Sequence, residues 1–147
     1  MRNRFSWDLS DKFLIRFVNE AYYFVKTFGV VESRLDFDFV LRDDSIIRLS
    51  NLLNWEDRND FYQFSHSLSY LFKWDKDKAI GAHIVARGDD QFKTTYTDYH
   101  FFLQYRQKIH RDWLFLELRP EVHLPKENDF NPNFSFSARV EFLFGNY

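Results

Sequence analysis

The sequence contains no cysteine, and only 4 of its 147 residues are glycine and 3 are proline. Without cysteine, neither a disulfide framework nor a thiolate metal site can form. With so little glycine and proline, most turns must be built from Asp, Asn, Ser and Lys. The longest uninterrupted apolar run, Ala21 to Val25, is far shorter than the roughly 20 residues of a spanning helix. The sequence therefore predicts no transmembrane helix.

An excess of charge of one sign is also lacking. The 20 Lys and Arg residues nearly balance the 22 Asp and Glu residues, which leaves a formal net charge of -2. Proteins that bind nucleic acid rely on a basic surface, so we expect no nucleic-acid partner. There is no GxGxxG, P-loop or HExxH motif either. We therefore predict no catalytic residues, no cofactor-binding residues and no metal site.

Aromatic residues are abundant instead. Trp, Tyr and Phe make up 21% of the chain, and charged residues make up 29%. A typical soluble domain fills its core mainly with aliphatic side chains. Here aromatic and charged residues alternate along the same segments, which indicates strands whose two faces are both heavily used.

The alternation is clearest in FSFSARVEFLF, residues 134–144, where apolar and polar residues take turns. This period of two is typical of a strand with one apolar face and one polar face. The same pattern recurs in eight segments: 12–27, 31–42, 46–56, 61–74, 78–87, 95–107, 112–124 and 133–144. Short polar connectors predict antiparallel hairpins, so we expect an all-β, antiparallel up-and-down meander barrel of about eight strands. Residues 1–147 would form this single β-barrel domain, with 1–10 a tail or the remnant of an upstream strand.

The number of aromatic rings decides which face of the barrel points inward. An eight-stranded barrel has just enough interior for ordinary side chains, so packing these rings inside would overfill it. We therefore expect a transmembrane barrel with its apolar face outward and a charged lumen. The aromatic residues near strand ends fit a membrane-interface belt: Trp55, Tyr62, Trp74, Tyr99 and Trp113. The predicted lumen charge network comprises Arg16, Glu20, Arg34, Asp36, Asp38, Arg48, Arg87, Asp98, Arg106, Glu117, Arg119, Glu121, Arg139 and Glu141.

The closing stretch ARVEFLF, residues 138–144, resembles the C-terminal strand of bacterial outer-membrane β-barrels. The resemblance implies that Val140, Phe142 and Phe144 form the assembly signal, although Gly145, Asn146 and Tyr147 follow them. RDWLFLELRPEVHLPKENDF, residues 111–130, is similar to uncharacterised gammaproteobacterial outer-membrane proteins, where this segment lies at the C-terminal end of a longer chain. The resemblance implies a location in the cell outer membrane of a Gram-negative bacterium. The implied partners are outer-membrane lipid, or detergent in its place, and the barrel-assembly machinery.

Three histidines, His83, His100 and His123, have polar-face parity on three consecutive predicted strands. They could approach one another in the lumen as a metal or proton site, but we interpret them as members of the polar network. His66 and Ser67 are adjacent on a strand and point to opposite faces, so they cannot form a nucleophile and base pair.

Pairs of acidic residues occur at Asp43/Asp44, Asp75/Asp77 and Asp89/Asp90. Such pairs can hold calcium, but solvated turns explain them more simply. With no convincing catalytic constellation, the sequence predicts that the protein is not an enzyme.

The function predicted from sequence is that of an outer-membrane β-barrel with a filled, charged lumen. Its role would be structural or interaction-related, or it would provide a narrow permeation path. Two alternatives stay open: a soluble lipocalin-like barrel that binds an apolar ligand, and an outer-membrane lipid-modifying enzyme.

Overall fold

The computed structural model describes residues 1–24, 28–56, 61–90, 94–110 and 114–142. They form nine strands: β1 (Arg2–Ser10), β2 (Phe13–Phe24), β3 (Phe28–Arg42), β4 (Ser45–Glu56), β5 (Phe61–Lys73), β6 (Lys78–Asp89), β7 (Thr95–His110), β8 (Leu114–Pro125) and β9 (Asn133–Phe142). The strands make a single sheet in which each pairs antiparallel with the next along the chain. The predicted all-β antiparallel meander is confirmed. Within the described ranges, no helix is long and apolar enough to cross a membrane.

The strand number and the closure of the sheet both differ from the prediction. Arg2–Ser10 is a full strand paired with β2, so the count is nine and not eight. In the part of the chain that the structure describes, the sheet does not close, and β1 and β9 are its two outer strands. An odd number of up-and-down strands places the first and last in the same direction. They therefore cannot complete an antiparallel barrel by pairing with each other.

The turns explain why acidic residues occur in pairs. Asp43 and Asp44 form the short turn between β3 and β4. The Asp75 carboxylate accepts a hydrogen bond from the Asp77 backbone N–H at 2.7 Å, and Asp90 accepts one from the Tyr62 backbone N–H at 2.6 Å. Side chains of Asp commonly replace backbone partners in tight turns in this way. The scarcity of glycine is thus compatible with a sheet made of hairpins.

The two faces of the sheet differ sharply in exposure. On one face, which we call the apolar face, register aligns Phe39 with Ile47 and Phe101 with Val122 across neighbouring strands. Side chains on this face are exposed, for example Leu103 at 54% and Phe134 at 78%. The opposite side, which we call the polar face, carries the buried acids. Among the described residues, Val18, on the polar face, is the only buried hydrophobic side chain.

Pro120 coincides with a gap in the β7–β8 pairing but does not change the strand register. Pro120 pairs in register with Phe136 of β9. On its other side, the β7–β8 ladder skips Leu103 and Gln104, and the same register resumes beyond them. Because proline has no N–H to donate, a local gap in the ladder is the expected consequence. The sheet thus accommodates Pro120 by an in-register gap and not by a bulge.

A glycine marks the irregularity between β6 and β7. The register shifts between Arg87 and Gly88, where the chains approach closely. A Cβ atom added at Gly88 would lie 2.3 Å from the Thr95 backbone oxygen and 2.4 Å from a ring carbon of Phe64. At Gly81, the added atom would meet only side-chain atoms among its nearest neighbours. The backbone at Gly88 therefore has no room for a side chain.

We expect Gly88→Ala to lower the free energy of unfolding by about 1–3 kcal/mol, the usual cost of overpacking a rigid site. The matched control, Gly81→Ala, should change it by less than about 1 kcal/mol, because the side chains around it can move. Denaturant unfolding of the parent protein and of both variants, followed by circular dichroism, measures both effects. Equal effects of the two substitutions would contradict the close backbone approach at Gly88.

Candidate functional site

The candidate site is the polar face itself. The strand register places all fourteen charged residues of the predicted lumen network on this one face. They fall into three groups along the sheet: one around Asp38 on β2–β4, one around Glu117 on β7–β9, and one around Asp98 on β7–β8.

Asp38 is the centre of the first group and is only 5% exposed. The Arg48 guanidinium holds it in a two-pronged contact, with Nε 2.6 Å from Oδ1 and Nη2 3.0 Å from Oδ2. Arg16 donates to Oδ2 from the opposite strand. A planar guanidinium matches both carboxylate oxygens, which makes such pairs strong and directional. Asp38 therefore ties β2, β3 and β4 together across the face.

Two neighbours extend this group. Asp36, 3% exposed, accepts a hydrogen bond from Ser50 Oγ at 2.6 Å and forms an ion pair with Arg34 at 3.4 Å. Near the other end of β2, Glu20 is paired with Arg2 Nε at 2.7 Å. Arg2 is not part of the predicted network, because the sequence predicts a tail or strand remnant for residues 1–10.

Glu117 is the centre of the second group and is 8% exposed. Arg139 Nη2 donates to its two carboxylate oxygens at 2.9 and 3.0 Å, and Gln104 Nε2 donates to Oε2 at 2.7 Å. Arg106 reaches over to Glu141 on β9 at 2.7 Å. The outer strand β9 is thus attached by charge as well as by its backbone. Gln104 and Ser50 were missed because only charged residues were considered, although their parity already placed them on this face.

The third group contains histidines. His123 Nε2 lies 2.7 Å from Asp98 Oδ1, and His100 Nδ1 lies 2.5 Å from Glu121 Oε1. Glu121 is also bound by Arg119, at 2.9 Å. The rings of His100 and His123 stack, with centroids 4.2 Å apart. Arg87, the last of the fourteen, lies opposite Asp98 in the strand register.

His83, His100 and His123, which share polar-face parity, do not all meet. His83 stacks on Phe102 at 4.4 Å, and its Nδ1 lies 2.8 Å from Ser69 Oγ. Arg119 covers the same Phe102 ring at 3.7 Å. Strand register places His83 opposite Phe102, whereas it places His100 opposite His123, so only the latter two histidines meet.

Hydrolytic chemistry has little geometric basis on either face. His66 contacts Asn51 at 2.8 Å and the Tyr96 ring, whereas Ser67 points to the polar face. The Ser69–His83 contact resembles a nucleophile and base, but His83 Nε2 has no hydrogen-bond partner among the described residues. A catalytic histidine is normally oriented by a third group. Within the described ranges, no carboxylate is hydrogen-bonded to His83.

An ion pair links the turn between β5 and β6 to strand β7. Lys108 Nζ lies 2.8 Å from Asp77 Oδ1. The Lys108 ammonium, through this hydrogen bond, holds the pKa of the Asp77 carboxyl below its ordinary value. Asp77 therefore stays ionised at neutral pH and fixes the turn against the neighbouring strand.

The predicted assembly signal is only partly described. Val140 and Phe142 lie on β9, and both are exposed on the apolar face. Phe144 lies outside the described residues, as does Trp113 of the predicted aromatic belt.

We expect Asp38→Asn to lower the free energy of unfolding by about 3 kcal/mol, because two arginines then lose a buried carboxylate. The asparagine amide would also point a donor at a guanidinium that can only donate. The control is Asp8→Asn on the exposed strand β1, which should change stability by less than about 0.5 kcal/mol. Denaturant unfolding followed by circular dichroism provides the measurement. A cost at Asp38 no larger than at Asp8 would show that the arginine contacts do not hold the strands.

No protein-family model matches the chain, and no curated protein matches it. Its function therefore has to be argued from the fold and from the chemistry of its two faces.

Proposed function

We propose that this chain is a transmembrane part of an outer-membrane β-barrel of a Gram-negative bacterium. Its apolar face would contact lipid, and its polar face would line a filled, charged lumen. The observation that carries the proposal is the inverted exposure of the sheet. Leu103 and other large apolar side chains are exposed on one face, while Asp36 and Asp38 are buried on the other. In water, this arrangement would leave an extended hydrophobic surface uncovered, whereas lipid covers it.

Strand length and aromatic placement support the same proposal. The nine strands run from 9 to 16 residues, and all but β1 have at least 10. A tilted spanning strand needs about 9–11 residues. Aromatic side chains also cluster at one end of the apolar face, where Tyr96 lies 5.5 Å from Phe64 and 5.9 Å from Tyr99. Such clusters are typical of the level of the lipid head groups.

The outer strands β1 and β9 limit which further strands could close the described sheet into a barrel. Because β1 and β9 run in the same direction, an odd number of further strands would complete an antiparallel barrel. A second copy of this sheet would instead join β9 to β1 in parallel. Additional strands of the same polypeptide therefore fit the edges better, and the resemblance of residues 111–130 to the ends of longer chains agrees with this.

The polar face favours a filled lumen over an open one. Arg16 and Arg48 converge on Asp38, and Arg139 and Gln104 converge on Glu117, so these long side chains occupy the space above the sheet. A filled lumen fits a structural or interaction role best. A narrow permeation path is the second role that we propose for the same barrel. A lipocalin-like carrier would need its apolar side chains on the enclosed face, the reverse of the exposure described here.

We expect Leu103→Arg to reduce the stability of the protein in lipid bilayers by about 2–4 kcal/mol, the cost of a cation near the bilayer centre on the lipid face. Leu103 lies at the middle of β7, which makes it the most sensitive position. The matched control is Gln104→Arg, the next residue on the polar face, where Glu117 can accept the new guanidinium. Reversible unfolding from vesicles measures both variants. If Leu103→Arg is neutral and the protein is monodisperse in plain buffer, the membrane proposal is wrong.

Planar-bilayer recording tests whether the lumen of the proposed barrel is filled or open. Because ion pairs cross the polar face, we expect the unmodified protein to show no large open channel. A large, steady conductance from the unmodified protein would contradict a filled lumen while leaving the membrane location intact.

A further inference from the structure

Two histidines and one aspartate converge near one end of the polar face. Asp98 and His100 lie on β7, and His123 lies directly opposite His100 on β8. One carboxylate oxygen and one ring nitrogen from each histidine lie within 4.8 Å of one another. Two imidazoles and one carboxylate at this spacing form a donor set that is typical of transition-metal sites in proteins.

One ring nitrogen of His100, Nε2, takes no part in the ion-pair network. The residue is only 9% exposed, and its Nδ1 is held 2.5 Å from Glu121 Oε1. Its other nitrogen, Nε2, is buried and has no hydrogen-bond partner within the described ranges. A buried polar atom without a partner is costly, so natural structures rarely retain one without a reason.

Glu121 determines which nitrogen of His100 is free to bind. When Nδ1–H donates to the carboxylate, Nε2 carries the lone pair and is the metal-binding atom. Metal-ligating histidines are commonly oriented by a carboxylate on their second nitrogen. Arg119 in turn fixes Glu121 from the other side at 2.9 Å. Glu121 and Arg119 therefore already orient His100 in the way that supporting residues orient a metal ligand.

We propose that Asp98, His100 and His123 bind a divalent first-row transition metal, with Zn²⁺ as the ion best suited to this site. Neutral imidazole nitrogens and one carboxylate are its usual ligands when thiolates are absent. Mg²⁺ and Ca²⁺ prefer six or more oxygen ligands, which this cluster does not offer. The site is independent of the membrane proposal, because its geometry depends only on the register of β7 and β8.

Binding requires a small local rearrangement. The two rings stack with their planes 11° apart, so their nitrogen lone pairs lie in separate, nearly parallel planes and do not point at a common ion. Each ring would turn about its Cβ–Cγ bond, and His123 would exchange its 2.7 Å contact with Asp98 for a shared ion.

An adjoining cavity gives the ion access and room for a further ligand. It has a volume of about 400 Å³ and is lined by Asp98 and His123 together with Thr97, Pro125, Lys126 and Glu127. Three protein ligands plus an open position for water form a common arrangement for zinc. The bound ion would cross-link β7 to β8 at the end of the polar face.

The test is calorimetric titration of ZnCl₂ into the chelator-treated full chain, kept folded in micelles. We expect one saturable Zn²⁺ per chain, with no comparable binding of Mg²⁺ or Ca²⁺. Glu121→Gln should weaken Zn²⁺ binding by about 10–100-fold, as loss of a supporting hydrogen bond does. His100→Gln, His123→Gln and Asp98→Asn each remove a ligand and should weaken it more than Glu121→Gln does.

His83→Gln is the matched control, because His83 lies on the same face of the adjacent strand and outside the cluster. It should leave the Zn²⁺ affinity unchanged. Far-UV circular dichroism must match the parent for each variant to be compared.

A second measurement needs no variant at all. Co²⁺ added to the unmodified protein should give the visible absorption bands of a low-coordinate nitrogen and oxygen site, and Zn²⁺ should abolish them. The proposal is overturned if the parent protein shows no saturable Zn²⁺ uptake or no such Co²⁺ bands. It is equally overturned if His100→Gln binds Zn²⁺ as well as His83→Gln does.

Discussion

The structure depends on the antiparallel pairing of each strand with the next, which runs from β1 to β9. Because successive side chains on a strand point to opposite faces, the register decides which residues meet lipid or water and which meet one another. A slip of one residue in any strand would bring its aromatic rings onto the polar face and its charges onto the apolar face. The alternation repeats on every strand, so each hairpin reinforces the same choice of faces.

The pairing of charges is the condition under which the polar face can be buried. Removing Asp38 or Glu117 from water is unfavourable unless arginine or amide donors satisfy the carboxylate. Arg48 meets Asp38 with a two-pronged contact, and Arg139 meets both oxygens of Glu117. Each contact joins neighbouring strands, so the network holds the sheet together from side chain to side chain. This replaces the hydrophobic core, to which Val18 alone contributes among the described buried residues.

The two outer strands, β1 and β9, each leave backbone hydrogen-bonding groups along one edge without a strand partner in the described ranges. Unpaired strand edges readily recruit other chains. In a membrane, unsatisfied backbone groups at such an edge are especially costly, which is why spanning sheets close. Completion by further strands in antiparallel order would satisfy these backbone groups and keep the separation of the two faces.

The strands and their two faces follow from the amino-acid sequence, because period-two alternation is local and is readable from each segment alone. The eight segments expected from 12–27 to 133–144 correspond to β2–β9, and the fourteen charged residues lie on a single face. In contrast, the pairing of strands in three dimensions makes residues 2–10 a ninth strand and leaves the described sheet open. Whether a short alternating segment pairs depends on the partner offered by β2. The same reason explains why His100 meets His123 while His83 meets Phe102: parity gives the face, but only the register between strands brings two particular side chains together.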